Sequence, residues 1–449
     1  MSQIVRSFNE LFFTPSPSLK AGMAVAAILT LLLVGVIVYL LVYKNAIVPA
    51  STPPISSPAS VKALQESRME AIKEDTQLIA DNSFYTGLIN SLAPNERYLV
   101  NLAPMTASLG GYIGPIGPPG KPSPGIFYSD FYLQTALRAG IRSFVLPVST
   151  YVDDNKVPPL WPFSGHPAIV CRDGDGKIIS LNGMSIKQFC TDLMRFNHEN
   201  TAQSNEPILL YIKEDTAHVP AKDKKEEKYA KFMSRIAEGL SVIPATNRLT
   251  TLGGFGSAVG AANEATILTQ IPLTELKSKV LIFTDFDTKI GLKHAYQGMR
   301  PTLDDFTNFI VKPVVAQNAG MTVGTPGARS VKMVDISGSK VNWTDQSRTT
   351  LHMTSQDHPL NALRNVSVVN AAISTGIQIV PLPYFMTESA EDMQPIWKTW
   401  NGYAWRLKDE GARYVKPDPV VPSKPSTALN ARVSPELQPG QLVVGSQGR

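Results

Sequence analysis

The stretch from Ala21 to Tyr43, AGMAVAAILTLLLVGVIVYLLVY, holds no charged residue and is bracketed by Lys20 and Lys44. As a helix rising about 1.5 Å per residue it would be roughly 34 Å long, enough to cross a hydrocarbon core of about 30 Å. Tyr39 and Tyr43 fall near one end, where amphipathic rings favour the headgroup layer. A cleaved signal peptide would have a shorter apolar core and a small-residue cleavage site, and a buried core helix rarely runs this far without a polar position. The sequence therefore predicts a single N-terminal transmembrane helix with the rest of the chain tethered to a bilayer.

Arg6 and Lys20 precede the run, and Lys44 alone follows it closely. That bias favours a cytoplasmic N-terminus and a single-pass protein whose body lies on the non-cytoplasmic side. Asn342-Trp343-Thr344 and Asn365-Val366-Ser367 would permit glycosylation there. A net charge of +5 over 449 residues gives no argument for nucleic acid and suits a weak attraction to anionic lipid headgroups. Cys171 and Cys190 are the only cysteines, too few for a disulfide framework and in no metal-ligand spacing, which leaves a single bridge open.

Around the anchor (residues 21–43) the chain divides by composition. Residues 1–20 form a polar leader, and residues 44–59, with Pro49, Pro53, Pro54 and Pro58 among serines, read as a stiff spacer. Residues 60–97 read as a helical stalk packed on the body, because Val61, Leu64, Met69, Ile72, Leu78 and Ile79 alternate with charges. The body spans 98–417, and 418–449, rich in Pro, Ser and Gln, reads as a disordered tail.

Within the body, short apolar runs read as strands: 98–103, 141–152, 168–171, 208–212, 280–283, 331–336 and 376–383. They are near-continuous rather than alternating, as strands buried on both faces are. Helical patterns lie between several of them, at 132–139, 185–196, 224–240 and 302–310. Alternating β and α units predict an α/β fold with a parallel sheet, and a closed (β/α)8 TIM-type barrel suits it better than an open sheet. The Gly/Pro stretch Gly110–Gly125 is too short for a triple helix and reads as a loop over the barrel mouth or rim. Gly253–Gly260 fits neither a dinucleotide fingerprint nor a P-loop and reads as a flexible loop.

Three segments resemble phosphatidylinositol-specific phospholipase C and its relatives, the phospholipase C-like phosphodiesterases. Ala136-Leu-Arg-Ala-Gly-Ile-Arg-Ser-Phe-Val-Leu is similar to the family's second strand, where a helix ends in Gly and an Arg opens the strand. The run from Ile271 to Ile282 looks like the approach to its mid-barrel strand. Thr375 to Phe385, with Trp400 to Lys408, looks like the last strand and its closure. The resemblance implies a barrel over roughly residues 98–417. It also implies two histidines acting as base and acid on a phosphodiester, each within hydrogen-bond reach of its proton.

This sequence departs from that pattern. The first histidine would follow the first strand in an S-H-N-T context, matched here to Leu102-Ala103-Pro104-Met105-Thr106, and no histidine precedes His166. The second would end the third strand, where Val170-Cys171-Arg172-Asp173 stands. The calcium carboxylates of the eukaryotic relatives are matched by Phe144-Val145-Leu146-Pro147, without an acid, and by Lys213 at the end of the fourth strand. Calcium, which wants about six to eight oxygens, is therefore not expected, and no other cofactor is specified.

Strand carboxyl ends are where barrel sites gather. The candidates for ligand binding are Arg172, Asp173, Lys213 and Glu214. The bland alternatives are a polar turn closed by Gly174 and Gly176, and a solvated charge run. For catalysis the candidates are His166, which would lack its partner, and Arg172, which can clamp phosphate but not act as a base. Asp285 and Asp287 could hold a metal or simply cap a turn. The expected function is that of a membrane-anchored barrel with its ancestral chemistry lost. It would bind or build at a membrane, with the bilayer and phosphate-bearing lipid headgroups as partners. An active, divergent phosphoric diester hydrolase on phosphoinositide-type lipids is the competing expectation, and a structural envelope protein of a virion or organelle is a third.

Overall fold

The computed structural model describes residues 30, 32–33, 84–114, 125–150, 166–172, 176–180, 182–199, 205–222, 226–249, 266–295, 298–314, 327–332, 343–355, 366–382, 384–385, 398–400 and 404–417. Contacts group Met1–Tyr414 into one unit and Val415–Arg449 into a second, and every element named below belongs to the first. Among the described residues no helix is long and apolar enough to cross a membrane. Apart from Thr30, Leu32 and Leu33, the expected anchor lies outside those residues, as do both sequons' asparagines, the 253–260 loop, Asp173 and the tail from 418.

In chain order the elements are α1 (Phe84–Ser91), β1 (Leu102–Pro104), β2 (Thr106–Ala107), β3 (Tyr112–Ile113), β4 (Ile126–Phe127), α2 (Ser129–Arg138), β5 (Ser143–Thr150) and β6 (Pro167–Ile169). Then come α3 (Ile186–Glu199), β7 (Ile208–Glu214), α4 (Glu226–Leu240), β8 (Val280–Thr284), α5 (Thr288–Ala295), β9 (Phe309–Ile310) and β10 (Lys312–Pro313). Last are β11 (Ala328–Lys332), α6 (Trp343–Ser347), β12 (Leu351–Ser355), α7 (Val366–Ser374), β13 (Pro381–Leu382) and β14 (Trp405–Leu407). The chain is α/β.

Parallel pairing runs β13-β2-β5-β7-β8-β9 in one sheet and β10-β11-β12 in another. Only Val311 separates β9 from β10, and a parallel bridge between Met353 and Ile379 joins β12 to the segment entering β13. The parallel pairings thus return to their start and form a ring.

Strand alternation explains the unbroken apolar runs. On β7, Ile208, Leu210 and Ile212 pack outward in one cluster with Phe189 of α3 and Phe232 of α4, whereas Leu209 and Tyr211 point into a second, inner cluster. On β8 the split repeats, with Val280 and Ile282 outward and Leu281 and Phe283 inward. Two such faces, both apolar, are what period-two alternation gives when helices cover one side and the ring interior the other. Inside, Phe283 and Phe309 stack with centroids 4.4 Å apart, an arrangement worth about 0.5–1.5 kcal/mol beyond burial.

The amino-terminal end of the ring is closed by Leu88, Ile89 and Leu92 of α1 and its following turn, by Tyr98–Val100, and by Trp405 of β14. Here Arg142 and Glu206 form a buried ion pair at 2.6 Å, and the Glu206 carboxylate also accepts from Trp405 Nε1 (3.2 Å). Gly140 supplies the positive φ (88°) that ends α2 so that Arg142 can open β5.

Several expectations change. Residues 98–103 are not the first ring strand: 99–101 form a 3-10 turn, and β1 pairs antiparallel with β14, so β2 takes that place. The run at 168–171 contributes β6, which lies antiparallel on the carboxyl half of β5 rather than in the ring. Residues 302–310 were expected to be helical. Instead the Thr302 backbone N–H donates to Asp305 Oδ2 (2.8 Å) at the start of a single 3-10 turn. Asn308 then bonds back to Ile282 through both its backbone N–H and its side chain, which ends the turn and starts β9.

Candidate functional site

The carboxyl ends of β5, β7 and β8 bring most of the candidates together. Along β7 the inward parity of Leu209 and Tyr211 continues to Lys213, which lies opposite Pro147 of β5. Glu214 takes the other face, where its carboxylate receives Lys222 Nζ at 2.8 Å. Asp285, just past β8, joins the two strands. Its Oδ1 accepts the Glu214 backbone N–H (2.6 Å) and its Oδ2 accepts the Tyr211 hydroxyl (3.1 Å). Burial pushes Asp285 up to about 6, against the lowering pull of the Glu214 N–H, Lys213 and Tyr211. Tyr211 is driven well above its ordinary value by burial and then by the Asp285 charge.

Arg172 anchors the neighbouring part of the rim. It donates to Gly176 O (2.8 Å) and Thr150 O (3.1 Å), and its Nε lies 3.6 Å from an Asp215 carboxylate oxygen. Asp215 also holds His218, with Nδ1 at 2.9 and 3.0 Å from its two oxygens. The His218 carbonyl accepts both the backbone N–H and the hydroxyl of Thr150, at 2.8 and 2.6 Å. Gly176, at φ +82°, sits against the imidazole so closely that an added Cβ would fall 2.9 Å from Nε2. Strand β5, the turn after β6 and the end of β7 are therefore sewn together through polar side chains.

The remaining candidates separate from this group. His166 is half-buried at the start of β6, and burial, then Arg235 and Lys231 of α4, lower its pKa. Asp287 is exposed and its backbone N–H donates to Tyr229 (3.2 Å), so Asp285 and Asp287 answer to different partners. Among the described residues no group of three or more His, Cys, Asp and Glu side chains is arranged to hold a metal ion. Cys171 and Cys190 are both buried and are not joined in a disulfide.

Relocating the first ring strand relocates the residues that follow it. That run is Ser108-Leu109-Gly110-Gly111, not the 102–106 segment. Leu109 is fully buried at φ +52°, and Gly110 sits against Leu146 and Phe189, where an added Cβ would come within 3.0 and 3.2 Å. Sequence reasoning also missed His218. Its signal was Asp215-Thr216-Ala217-His218 directly after a strand, a spacing that lets an acid turn back onto a histidine.

No protein-family model matches the chain, and no curated protein does. Solved structures do. PLC21 of L. pealei matches at TM-score 0.43 and 13% identity over 72% of this chain and 38% of its own. A calcium-dependent phosphoinositol-specific phospholipase C from Pseudomonas sp. matches at TM-score 0.38 and 12% identity, over 70% of this chain and 98% of that one. The calcium-dependent phosphatidylinositol-specific enzyme of Streptomyces antibioticus follows at 0.36 and 13%, covering 64% and 94%. The chain spans about two fifths of the L. pealei protein. At such identities and scores the likeness does not extend to function.

Proposed function

We propose that this is a membrane-anchored (β/α)8 barrel protein of phospholipase C-like ancestry that no longer hydrolyses phosphodiesters and serves as a binding or structural component at a membrane. One observation carries the reading: the charged groups at the ring's carboxyl ends are already engaged with one another. Arg172 is spent on two carbonyls and Asp215, Glu214 on Lys222, and Asp285 on Tyr211 and a backbone N–H. Where the resemblance implies the first proton-transferring histidine, the run after the first ring strand offers the buried, apolar Leu109. Lys213, which strand parity turns toward the ring's interior, is the residue assigned to a phosphate-bearing headgroup. The anchor, the bilayer as partner and a body outside the cytoplasm belong to the same proposal and rest on the 21–43 run.

The Asp215–His218 pair favours a second reading, a divergent hydrolase, because a carboxylate that orients an imidazole is a common acid–base arrangement. The two separate in one assay of the full chain with phosphatidylinositol vesicles and an aryl phosphodiester, with calcium or with EDTA. The expected result is no turnover above buffer, in wild type and His218→Ala alike, with vesicle binding that weakens in Lys213→Ala. Turnover that His218→Ala or Arg172→Ala lowers would replace this reading with the hydrolase.

A further inference from the structure

The segment after β14 lies across the amino-terminal end of the ring, and Lys408 is its innermost residue, with no exposed surface. Its backbone N–H donates to Asn101 O (3.0 Å) and its Nζ to Ser347 O (2.5 Å). Arg413 Nε returns to Lys408 O (2.7 Å), and Arg348 reaches Gly411 O through Nε and Nη2 at 3.0 and 2.9 Å. Trp405, equally buried, fixes the near end of the segment on Glu206. Residues 404–412 are in this sense a strap, held at Trp405, at Lys408 and at Gly411.

The surroundings of Lys408 are unusual for an ammonium group. Among the described residues no carboxylate lies within ion-pair distance of its Nζ. The charged and titratable groups on the elements packed around it are Arg348 after α6, His352 of β12 and Arg329 of β11. Asp345 faces Arg348 (3.3 Å), Asp409 faces Arg406 (3.5 Å) and Glu96 faces Arg413 (3.8 Å). His352 is itself buried, its Nδ1 has no hydrogen-bond partner, and burial, with Lys408 and then Arg329 beside it, holds it down at about 3, so it remains neutral. A protonated Lys408 would thus be a buried cation with one carbonyl for company and other cations nearby, a state that costs several kcal/mol in general.

We propose that Lys408 is a proton-sensitive latch: its amine fastens the strap of residues 404–412 to the ring's amino-terminal end, and protonation loosens it. Burial, with Arg348 adding to it, lowers the amine from its ordinary 10.5 to about 7. An opened strap returns Lys408 to water and to its ordinary proton affinity. Between about 7 and 10.5 the open strap therefore holds a proton that the closed one does not. Opening becomes easier as the pH falls through that window, by about tenfold per unit, and levels off below it.

Native-state hydrogen exchange on the full chain in detergent micelles tests this, with intrinsic rates corrected at each pH. From pH 7 to pH 9 the protection of the Lys408, Ala412 and Arg413 amides should rise by about fiftyfold, while that of Leu209–Ile212 in β7 changes little. In Lys408→Met, or in Lys408→Gln if the first variant fails to fold, that rise should vanish. Constant strap protection in wild type, an equal rise in the β7 amides, or a rise that survives the substitution would overturn the latch. The wild-type comparison decides the matter even if neither variant folds.

Discussion

The two ends of the ring treat charge in opposite ways. At the carboxyl end Arg172, Asp215, His218 and Lys222 keep an edge in solvent, and they are joined through loops and strand tips. At the amino end Arg142, Glu206, His352 and Lys408 are buried; Arg142 and Glu206 pair with each other, Glu206 also receives the Trp405 indole, and Lys408 donates to a carbonyl. A partly exposed ion pair contributes little, since water competes for it, whereas a fully buried one becomes costly as soon as either partner is removed. By this measure the Arg142–Glu206 pair should matter more to stability than the Arg172–Asp215 contact.

Removing one partner of the most enclosed pair should have the largest effect. Arg142→Met leaves Glu206 buried with only the Trp405 indole to receive, and should cost about 3–5 kcal/mol in denaturant unfolding. A loss below about 1 kcal/mol would place the amino end on the same footing as a surface pair. Arg172→Met tests the other end. It frees two carbonyls that sit near solvent and should cost a smaller amount, about 1–3 kcal/mol, by the same measurement. If the Arg172 variant proved the less stable of the two, the contrast between the ends would be reversed.

The smallest effect is one of pH. Asp285 keeps its proton to about 6 when folded, against an ordinary 3.8, so the folded state holds a proton that the unfolded chain has already lost. Its contribution to stability is present below about 3.8 and is lost as the pH rises through 6. Asp285→Asn cannot ionise. The Tm of the variant minus that of wild type should therefore climb from pH 4 to pH 6.5, by a few degrees, and a flat difference would remove the carboxyl from the buried class.

Much of this was legible in the sequence where burial on both faces dictated residue type. The runs that became β5, β7 and β8, and the helical patterns that became α2, α3 and α4, are apolar for reasons of packing that any observer can read. The failures arose where an equally apolar run served another purpose. Tyr98–Ala103 reads like a ring strand because it plugs the ring's end, and Leu303, Phe306 and Phe309 are spaced as in a helix although Asn308 docks on β8. β12 escaped because His352 and Thr354 alternate with apolar residues on a short strand. At the rim, the location of Arg172, Lys213, Glu214 and Asp285 at strand ends was legible because their position after apolar runs is itself a signal. His218 and Lys408 were not, since a turn back onto Asp215 and the interior burial of a lysine depend on tertiary contacts.

Lys213 and Glu214 are neighbours in sequence, yet the pleat of β7 sends one toward the ring's interior and the other toward the helices. The sign of the charge shown at the mouth is thus a matter of parity rather than of composition. A single residue inserted into or deleted from β7 would leave the net charge unchanged but exchange the faces that the two charges take. Which of the two charges turns toward the ring's interior is therefore inherited from strand register rather than from composition.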